Sequence, residues 1–85
     1  YDLDLVPTDN LLFLRYADRP GVVGTVGNAL GKASINIAGM QVARDHLGGE
    51  ALMVITVDSS VPADVVALLA RETGANLARS ITLGA

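Results

Sequence analysis

The segment ALMVITVD, residues 51–58, constrains the fold most strongly, because it is almost continuously apolar. A strand that carries apolar side chains on both faces is typical of the interior of a sheet, so this segment predicts a central strand. NLLFLRYA, residues 10–17, is also apolar on both faces and predicts another central strand. Both segments therefore favour places inside a sheet over places at its edge.

A first helix is expected from about Pro20 to Ala33, where the apolar residues form a single stripe at the helical period. Asp18 is the candidate for its cap. Pro20 suits the first turn, because proline has a fixed φ and no N–H group. The stripe that should face the core consists of Val22, Val23, Val26, Ala29, Leu30 and Ala33.

A second helix is expected to open with Ser59 or Ser60 together with Pro62, and to close at Gly74. Asp64 and Arg71 would lie at the ends that the helix dipole favours for their charges. The buried stripe of this helix is predicted to consist of Val61, Val65, Leu68 and Leu69.

Two further strands complete the pattern. Residues 35–44 form a β-rich segment, and Gly39 inside it indicates a bulge or a close backbone approach. The turn DHLGGE then joins this segment to the apolar central strand as a hairpin. Residues 76–83 alternate polar and apolar side chains, which is typical of a half-exposed edge strand.

The order of elements is therefore βαββαβ. With right-handed crossovers, this order predicts an α+β, ferredoxin-like fold: a four-stranded antiparallel sheet with two helices on one face. Such a fold leaves the other face of the sheet uncovered, together with the edge at the second strand. Both are apolar enough to invite pairing.

Length and composition point to one small domain that has a partner. We assign residues 10–85 to the domain and residues 1–9 to a linker or to the end of a preceding domain. The 85 residues are 51% hydrophobic, with a mean hydropathy of +0.44. This is high for a short chain, whose large surface normally requires more polar residues. We therefore expect an oligomer or a docked fragment.

Several classes of function are disfavoured by composition. The chain has no cysteine, which excludes disulfides and thiol catalysis. Its net charge of -3, with two Tyr, one Phe and no Trp, argues against a nucleic-acid partner. No apolar run approaches the roughly 20 residues that span a bilayer, so we expect no membrane partner. The absence of cysteine fits a cytoplasmic location, which we expect.

No constellation of residues indicates catalysis or a metal site. His46 is the only histidine and is interpreted as an exposed turn residue without a second ligand. The carboxylates are scattered, and the glycine spacing fits neither a dinucleotide fingerprint nor a phosphate loop. Small acyl-phosphate hydrolases share the strand order, but Arg19 followed by Pro20 is a poor phosphate loop, because proline removes a donor. We expect no catalytic residue, metal or cofactor in this domain.

Three glycines, Gly24, Gly27 and Gly31, lie within the first predicted helix, roughly 135° away from its apolar stripe. Each costs about 1 kcal/mol relative to alanine in a helix interior. Two interpretations stay open. The face is either a tolerated solvent face or a surface that a partner subunit or a small ligand approaches closely.

The start of the first helix suggests a ligand. Unpaired N–H groups at Gly21, Val22 and Val23, together with the positive end of the helix dipole, form a site for a carboxylate. Asp18 beside them could pair with an ammonium group, and Tyr16 could donate or accept a hydrogen bond. Together these groups describe an amino acid. The plainer alternatives are that Asp18 is only a helix cap and Tyr16 only a half-buried strand residue.

Three motifs, DRPGVVG, NIAGMQVAR and GGEALMVITVD, carry a family resemblance that covers residues 11–83. The chain resembles ACT domains, and in particular the regulatory ACT domains of the bacterial D-3-phosphoglycerate dehydrogenase type. The second and third motifs also loosely resemble the ACT domain of serine dehydratases. Members of the family have the βαββαβ fold, usually pair, and bind amino acids at the pairing interface.

The resemblance implies a regulatory module rather than an enzyme. The expected effector is L-serine, and the expected partner is a second copy aligned side by side through the second strand. The parent enzyme would use NAD, outside this domain. The implied ligand contacts are Tyr16, Asp18, Asn36 and Ile37 with the backbone of Pro20, Gly21, Val22 and Val23, drawn from two chains. Ser34 stands where relatives often have a glycine with φ > 0. A structural oligomerisation domain without an effector is the alternative.

Overall fold

The computed structural model describes residues 9–44 and 49–83. The predicted order of elements is confirmed. Residues 1–8, 45–48 and 84–85 lie outside the described part, and with them the prediction that His46 is an exposed turn residue. The elements are β1 (Asn10–Ala17), α1 (Val22–Lys32), β2 (Ile37–Arg44), β3 (Glu50–Val57), α2 (Ala63–Thr73) and β4 (Leu77–Thr82).

The four strands form one antiparallel sheet in the order β2-β3-β1-β4. The two strands with apolar residues on both faces, β1 and β3, are the inner strands, as predicted, and β2 and β4 form the edges. The predicted bulge is also present. Ile37 pairs with Val57 and Gly39 with Thr56, so Ala38 is an extra residue in the ladder.

The core lies between one face of the sheet and the two helices. Alternate residues of β1 and β3 point to this face, because successive side chains of a strand point to opposite sides. The helices contribute fully buried leucines, Leu30 from α1 and Leu69 from α2. Burying such a side chain contributes about 1.5–3 kcal/mol. The remaining core residues are Leu12, Leu14, Tyr16, Val22, Val26, Ile35, Ala51, Met53, Ile55, Val57 and Val61.

The opposite face of the sheet is covered by no described element, as predicted. It contains a shallow groove of about 470 Å³. Apolar side chains of three strands line the groove, with arginines and a glutamate among them: Phe13, Arg15, Glu50, Leu52, Leu77, Arg79 and Ile81.

The predicted start of α1 is wrong in two respects. The helix begins at Val22, and its N-cap is Gly21, which has φ 90° and provides no side chain. Asp18 is therefore not the cap, and glycine suits this position because the left-handed conformation has no steric cost without a Cβ atom. The apolar stripe is also narrower than predicted, since Val23 is 46% exposed.

The predicted cap of α2 is wrong as well. The helix begins at Ala63 after Pro62, and neither Ser59 nor Ser60 caps it. The carbonyl of Pro62 instead accepts hydrogen bonds from the N–H groups of Val65 and Val66, each at 3.0 Å. The extended backbone of Pro62 directs its carbonyl into the helix, so the helix starts without a side-chain cap.

Both helices end at a residue in the left-handed conformation. Gly74 after α2 has φ 68°, and Ser34 after α1 has φ 61°. The N–H of Ile35 donates to the carbonyl of Leu30 at 2.9 Å, and that of Ser34 donates to Gly31 at 3.0 Å, which is the Schellman pattern. The positive φ expected at Ser34 is therefore present, on a residue that has a Cβ atom.

Candidate functional site

The loop between β1 and α1 is held against the adjoining strands through Asp18. Its backbone N–H donates to the carbonyl of Gly49 at 2.7 Å, just before β3. Its carboxylate Oδ2 accepts a hydrogen bond from Nε of Arg44, the last residue of β2, at 2.8 Å. Both side chains are partly open to solvent. The charge of Asp18 therefore already has a counterion within the chain, a contact that the sequence analysis missed because 26 residues separate the partners.

Arg19 connects the same loop to α2. Its Nη2 donates to the carbonyl of Thr73 at 3.0 Å, at the C-terminal end of that helix. A cation is favourable there, because the last carbonyls and the helix dipole present negative charge. The guanidinium that an acyl-phosphate hydrolase would need in a phosphate loop is thus bound to a helix end. This contact argues against that enzyme class.

The N-terminus of α1 is suited to an anion. The first N–H groups of a helix have no partner within it, and the dipole makes this end positive. No acidic residue lies in the first turn of α1, so no side-chain carboxylate there offsets the positive end. Gly21 and Val23 are exposed, whereas Val22 is buried. The exposed backbone of this turn is therefore open to a carboxylate.

Tyr16 is one of the two buried residues among the predicted site residues, together with Val22. It is 2% exposed and belongs to the core cluster, so it is more buried than a half-buried strand residue. Burial raises the pKa of its hydroxyl, and the nearby Asp18 carboxylate raises it further, while Arg44 opposes the shift. The hydroxyl therefore stays protonated at neutral pH and can act as a donor.

Asn36 and Asp58 form a hydrogen-bonded pair just beyond the first residue of β2 and the last residue of β3. The backbone N–H of Asn36 donates to Oδ1 of Asp58, and its side-chain Nδ2 donates to Oδ2, each at 3.0 Å. The N–H of Asp58 donates back to the carbonyl of Asn36 at 3.1 Å. These donors lower the pKa of Asp58, the backbone N–H of Asn36 having the largest effect. Sequence reasoning found Asn36 through the family resemblance and missed Asp58.

The predicted site residues fall into two groups at opposite ends of β2. Tyr16, Asp18 and the start of α1 lie at the end marked by Arg44, since Ala51 pairs with both Tyr16 and Arg44. Asn36 and Ile37 lie at the other end, where Ile37 pairs with Val57. Seven steps along β2 separate these ends, which is about 23 Å at 3.3 Å per residue. A single chain does not bring the two groups together.

The outward face of α1 is bare at its three glycines. A Cβ atom added at Gly24, Gly27 or Gly31 would meet no described atom within 4 Å outside its chain neighbours and the helix backbone beside it. The prediction that these glycines do not pack in the core is confirmed. No steric contact with the described residues therefore requires glycine at these three positions.

The described residues contain neither a metal-binding cluster nor a membrane-spanning helix. No group of three or more His, Asp or Glu side chains is arranged to hold a metal ion in residues 9–44 and 49–83. Across the same ranges, neither helix has the length and apolar character needed to cross a membrane.

Residues 10–74 match the family model of the ACT domain. D-3-phosphoglycerate dehydrogenases from Methanocaldococcus jannaschii and Bacillus subtilis are each 41% identical to the chain over 66 residues. These alignments cover 78% of the chain and 13% of each relative. The enzyme of the same name from Synechocystis is 30% identical over 83 residues, which is 98% of the chain and 15% of the relative. The chain thus spans a small part of each.

Solved structures show the same fold at lower identity. A formyltetrahydrofolate deformylase from Pseudomonas syringae superposes with a TM-score of 0.70 and 22% identity, over 84% of the chain and 26% of that structure. A protein of the same name from Burkholderia mallei gives a TM-score of 0.71 and 15% identity, over 89% and 28%. At these identities the similarity concerns the fold alone.

Proposed function

This chain belongs to the ACT domain family, and from that membership we propose that it is the regulatory module of a D-3-phosphoglycerate dehydrogenase. In this proposal it binds L-serine between two copies of the domain, and the bound serine inhibits an enzyme whose NAD-dependent active site lies in other domains. The relatives of that name, at 30–41% identity, support the choice of parent enzyme. The domain itself would be non-catalytic.

The observation that carries the proposal is the separation of the two groups of site residues along β2. No described strand occupies the outer edge of β2, and Ile37 on it is 38% exposed. Antiparallel pairing of two such edges would set the Asn36 end of one chain beside the Arg44 end of the other. One pocket would then combine Tyr16, Asp18 and the α1 N-terminus of one copy with Asn36 and Ile37 of its partner.

The chemistry of the loop end supports an amino-acid ligand. The first turn of α1 offers N–H groups and positive potential to a carboxylate, and contains no acidic residue to compete with it. The Nε atom of Arg44 lies 2.8 Å from Oδ2 of Asp18. Because Arg44 compensates its charge, Asp18 would repel the ligand carboxylate less than an isolated charge would. A small zwitterion fits such a polar, partly open site.

Regulation would follow from two arrangements of the paired domains that differ in their affinity for serine. Serine can shift the enzyme toward the inhibited arrangement only by as much as it binds that arrangement more tightly. Pairing is therefore part of the mechanism, since a pocket shared by two chains stabilises the arrangement in which both halves meet.

The proposal is tested by calorimetric titration of L-serine into the wild-type protein, Asp18→Ala, Asn36→Ala and an equimolar mixture of both variants. Each variant alone should bind serine more weakly by about 1–3 kcal/mol. Asn36→Ala removes a hydrogen-bonding group of the pocket, and Asp18→Ala removes the charge-assisted hydrogen bond to Arg44 that holds the loop. The mixture should recover about a quarter of the wild-type sites, because half the dimers are mixed and each mixed dimer contains one intact pocket.

The other outcomes are equally informative. A mixture that behaves as the average of its two components would contradict a pocket shared between chains. If no common amino acid changes the melting temperature of the dimer, the chain is instead a structural oligomerisation domain. A response to a different amino acid would favour another enzyme, such as a serine dehydratase. A ligand at 100 times its Kd should add about 2.7 kcal/mol of stability, which a thermal shift detects.

A further inference from the structure

The two ends of the proposed pocket differ in charge. The Asp18 carboxylate has Arg44 as its counterion, and the α1 N-terminus beside it is positive. Asp58 at the other end forms no ion pair with any described residue, and its partners are Asn36, Ser59 and its own backbone. The Asp58 carboxylate therefore lacks the counterion that the Asp18 carboxylate has.

The side chain of Asn36 is oriented by this carboxylate. Its Nδ2 donates to Oδ2 of Asp58, so its Oδ1 points away from the Asp58 carboxylate. Oδ1 accepts no hydrogen bond from the described residues, and Asn36 is exposed. A carboxamide that donates to a charged acceptor is polarised, which makes its oxygen a stronger acceptor.

We propose that Asp58 is a positioning residue that fixes the carboxamide of Asn36 so that Oδ1 and the negative charge behind it receive the ammonium group of the ligand. This inference rests on the proposed function. It assigns the ligand a direction in the shared pocket, with its carboxylate at the α1 N-terminus of one copy and its ammonium group at the Asn36–Asp58 pair of the other. Asp18 is then a support for the loop, held by Arg44, rather than the partner of the ammonium group.

The test compares two ligands that differ at one group. L-serine and L-glycerate share the carboxylate and the terminal hydroxyl, but glycerate has a second hydroxyl in place of the ammonium group. Asp58→Asn should weaken L-serine binding about 10-fold or more, because a hydrogen bond to a charged group is lost. The same variant should leave glycerate binding unchanged. Asp64→Asn, which removes an exposed carboxylate from the first turn of α2, is the control for net charge and should affect neither ligand.

A loss of the same size for both ligands would mean that Asp58 only supports the fold, and would overturn the inference. L-alanine has the ammonium group but no hydroxyl. Asp58→Asn should therefore weaken alanine binding as much as it weakens serine binding. If alanine behaves like glycerate instead, the pair recognises the serine hydroxyl and the assignment is wrong. A wild-type protein that binds no amino acid would contradict the proposed function and the ammonium assignment together.

The orientation of Asn36 can be tested without a ligand. The hydrogen bonds from Asn36 lower the pKa of Asp58. The side-chain NH₂ resonances of Asn36 should therefore move in NMR spectra as Asp58 is protonated, at a lower pH than for an ordinary aspartate. In Asp58→Asn this movement should disappear. Resonances that do not respond to pH in the wild-type protein would contradict the hydrogen bond and hence the orientation.

Discussion

The two helices share a length, a sheet face and a way of ending, but their outward faces differ. Each has 11 residues, packs a fully buried leucine onto the sheet and ends at a residue with positive φ. Three of the residues of α1 are glycine, whereas α2 has none, and only α2 has an acidic residue in its first turn. These differences lie on the helix surfaces that do not pack in the core.

This comparison separates residues that the fold requires from residues that it does not. The inner faces of both helices pack against the sheet, with Val22, Val26 and Leu30 buried in α1 and Leu69 and Thr73 buried in α2. The glycines of α1 lower helix stability without relieving any described steric conflict, and the first turn of α1 leaves its dipole without a nearby carboxylate. Residues that weaken a helix without a structural reason are expected where a partner or ligand binds.

The largest expected effect follows from removing the glycine face. The triple variant Gly24→Ala, Gly27→Ala and Gly31→Ala should raise the free energy of unfolding of the unpaired chain by about 2–3 kcal/mol, because each alanine favours the helix by about 1 kcal/mol. There is room for all three methyl groups. The mirror substitution Ala67→Gly, at an exposed position of α2, should lower stability by about 1 kcal/mol. Urea denaturation at low protein concentration measures both changes.

Sedimentation of the triple variant then decides between the two interpretations of this face. If a partner chain approaches the glycines, the added methyl groups should weaken the dimer while the chain itself becomes more stable. A variant that is both more stable and equally dimeric would show that the glycines face only solvent.

Much of the fold could be predicted because it depends on patterns within single segments. The apolar faces of β1 and β3 fixed them as inner strands, and Gly39 indicated the bulge. The helix starts could not be predicted in the same way. Asp18 has the side chain of a cap, but its partner Arg44 lies 26 residues away and competes for it. Tertiary contacts of this kind override a local preference, and no local pattern reports them.

A smaller effect is expected at the two helix ends. Ser34→Gly should raise the free energy of unfolding by about 1 kcal/mol, because a residue with a Cβ atom is strained at positive φ and glycine is not. Gly74→Ser should lower it by a similar amount, since it introduces that strain at the end of α2. Ser34→Ala, which keeps the strain, is the control and should gain nothing. Thermal unfolding monitored by circular dichroism gives all three values.

The candidate site was less accessible from the sequence than the fold, for a geometric reason. Tyr16, Asp18 and Gly21 lie within a few residues of one another, so the sequence itself suggests that they act together. Asn36 lies at the far end of β2 and meets them only if two chains pair. Asp58 ends the motif GGEALMVITVD, but the motif does not show its partner, because its contact with Asn36 spans the ends of two strands.

The smallest effect on stability tests the first turns of the helices and gives the sharpest functional result. Asp64→Asn should destabilise α2 by about 0.3–1 kcal/mol, because it removes a carboxylate from the positive end of the helix. Val23→Asp should stabilise α1 by a similar amount, since Val23 is exposed in a first turn that has no carboxylate.

The aspartate of Val23→Asp would also neutralise the positive potential at the start of α1 and repel the carboxylate of the ligand. Val23→Asp should therefore unfold at a higher urea concentration and bind L-serine more weakly, whereas Val23→Asn, of equal size but uncharged, should keep most of the affinity. Unchanged serine binding in Val23→Asp would place the ligand carboxylate elsewhere, because a negative charge in the first turn of α1 should repel a carboxylate bound there.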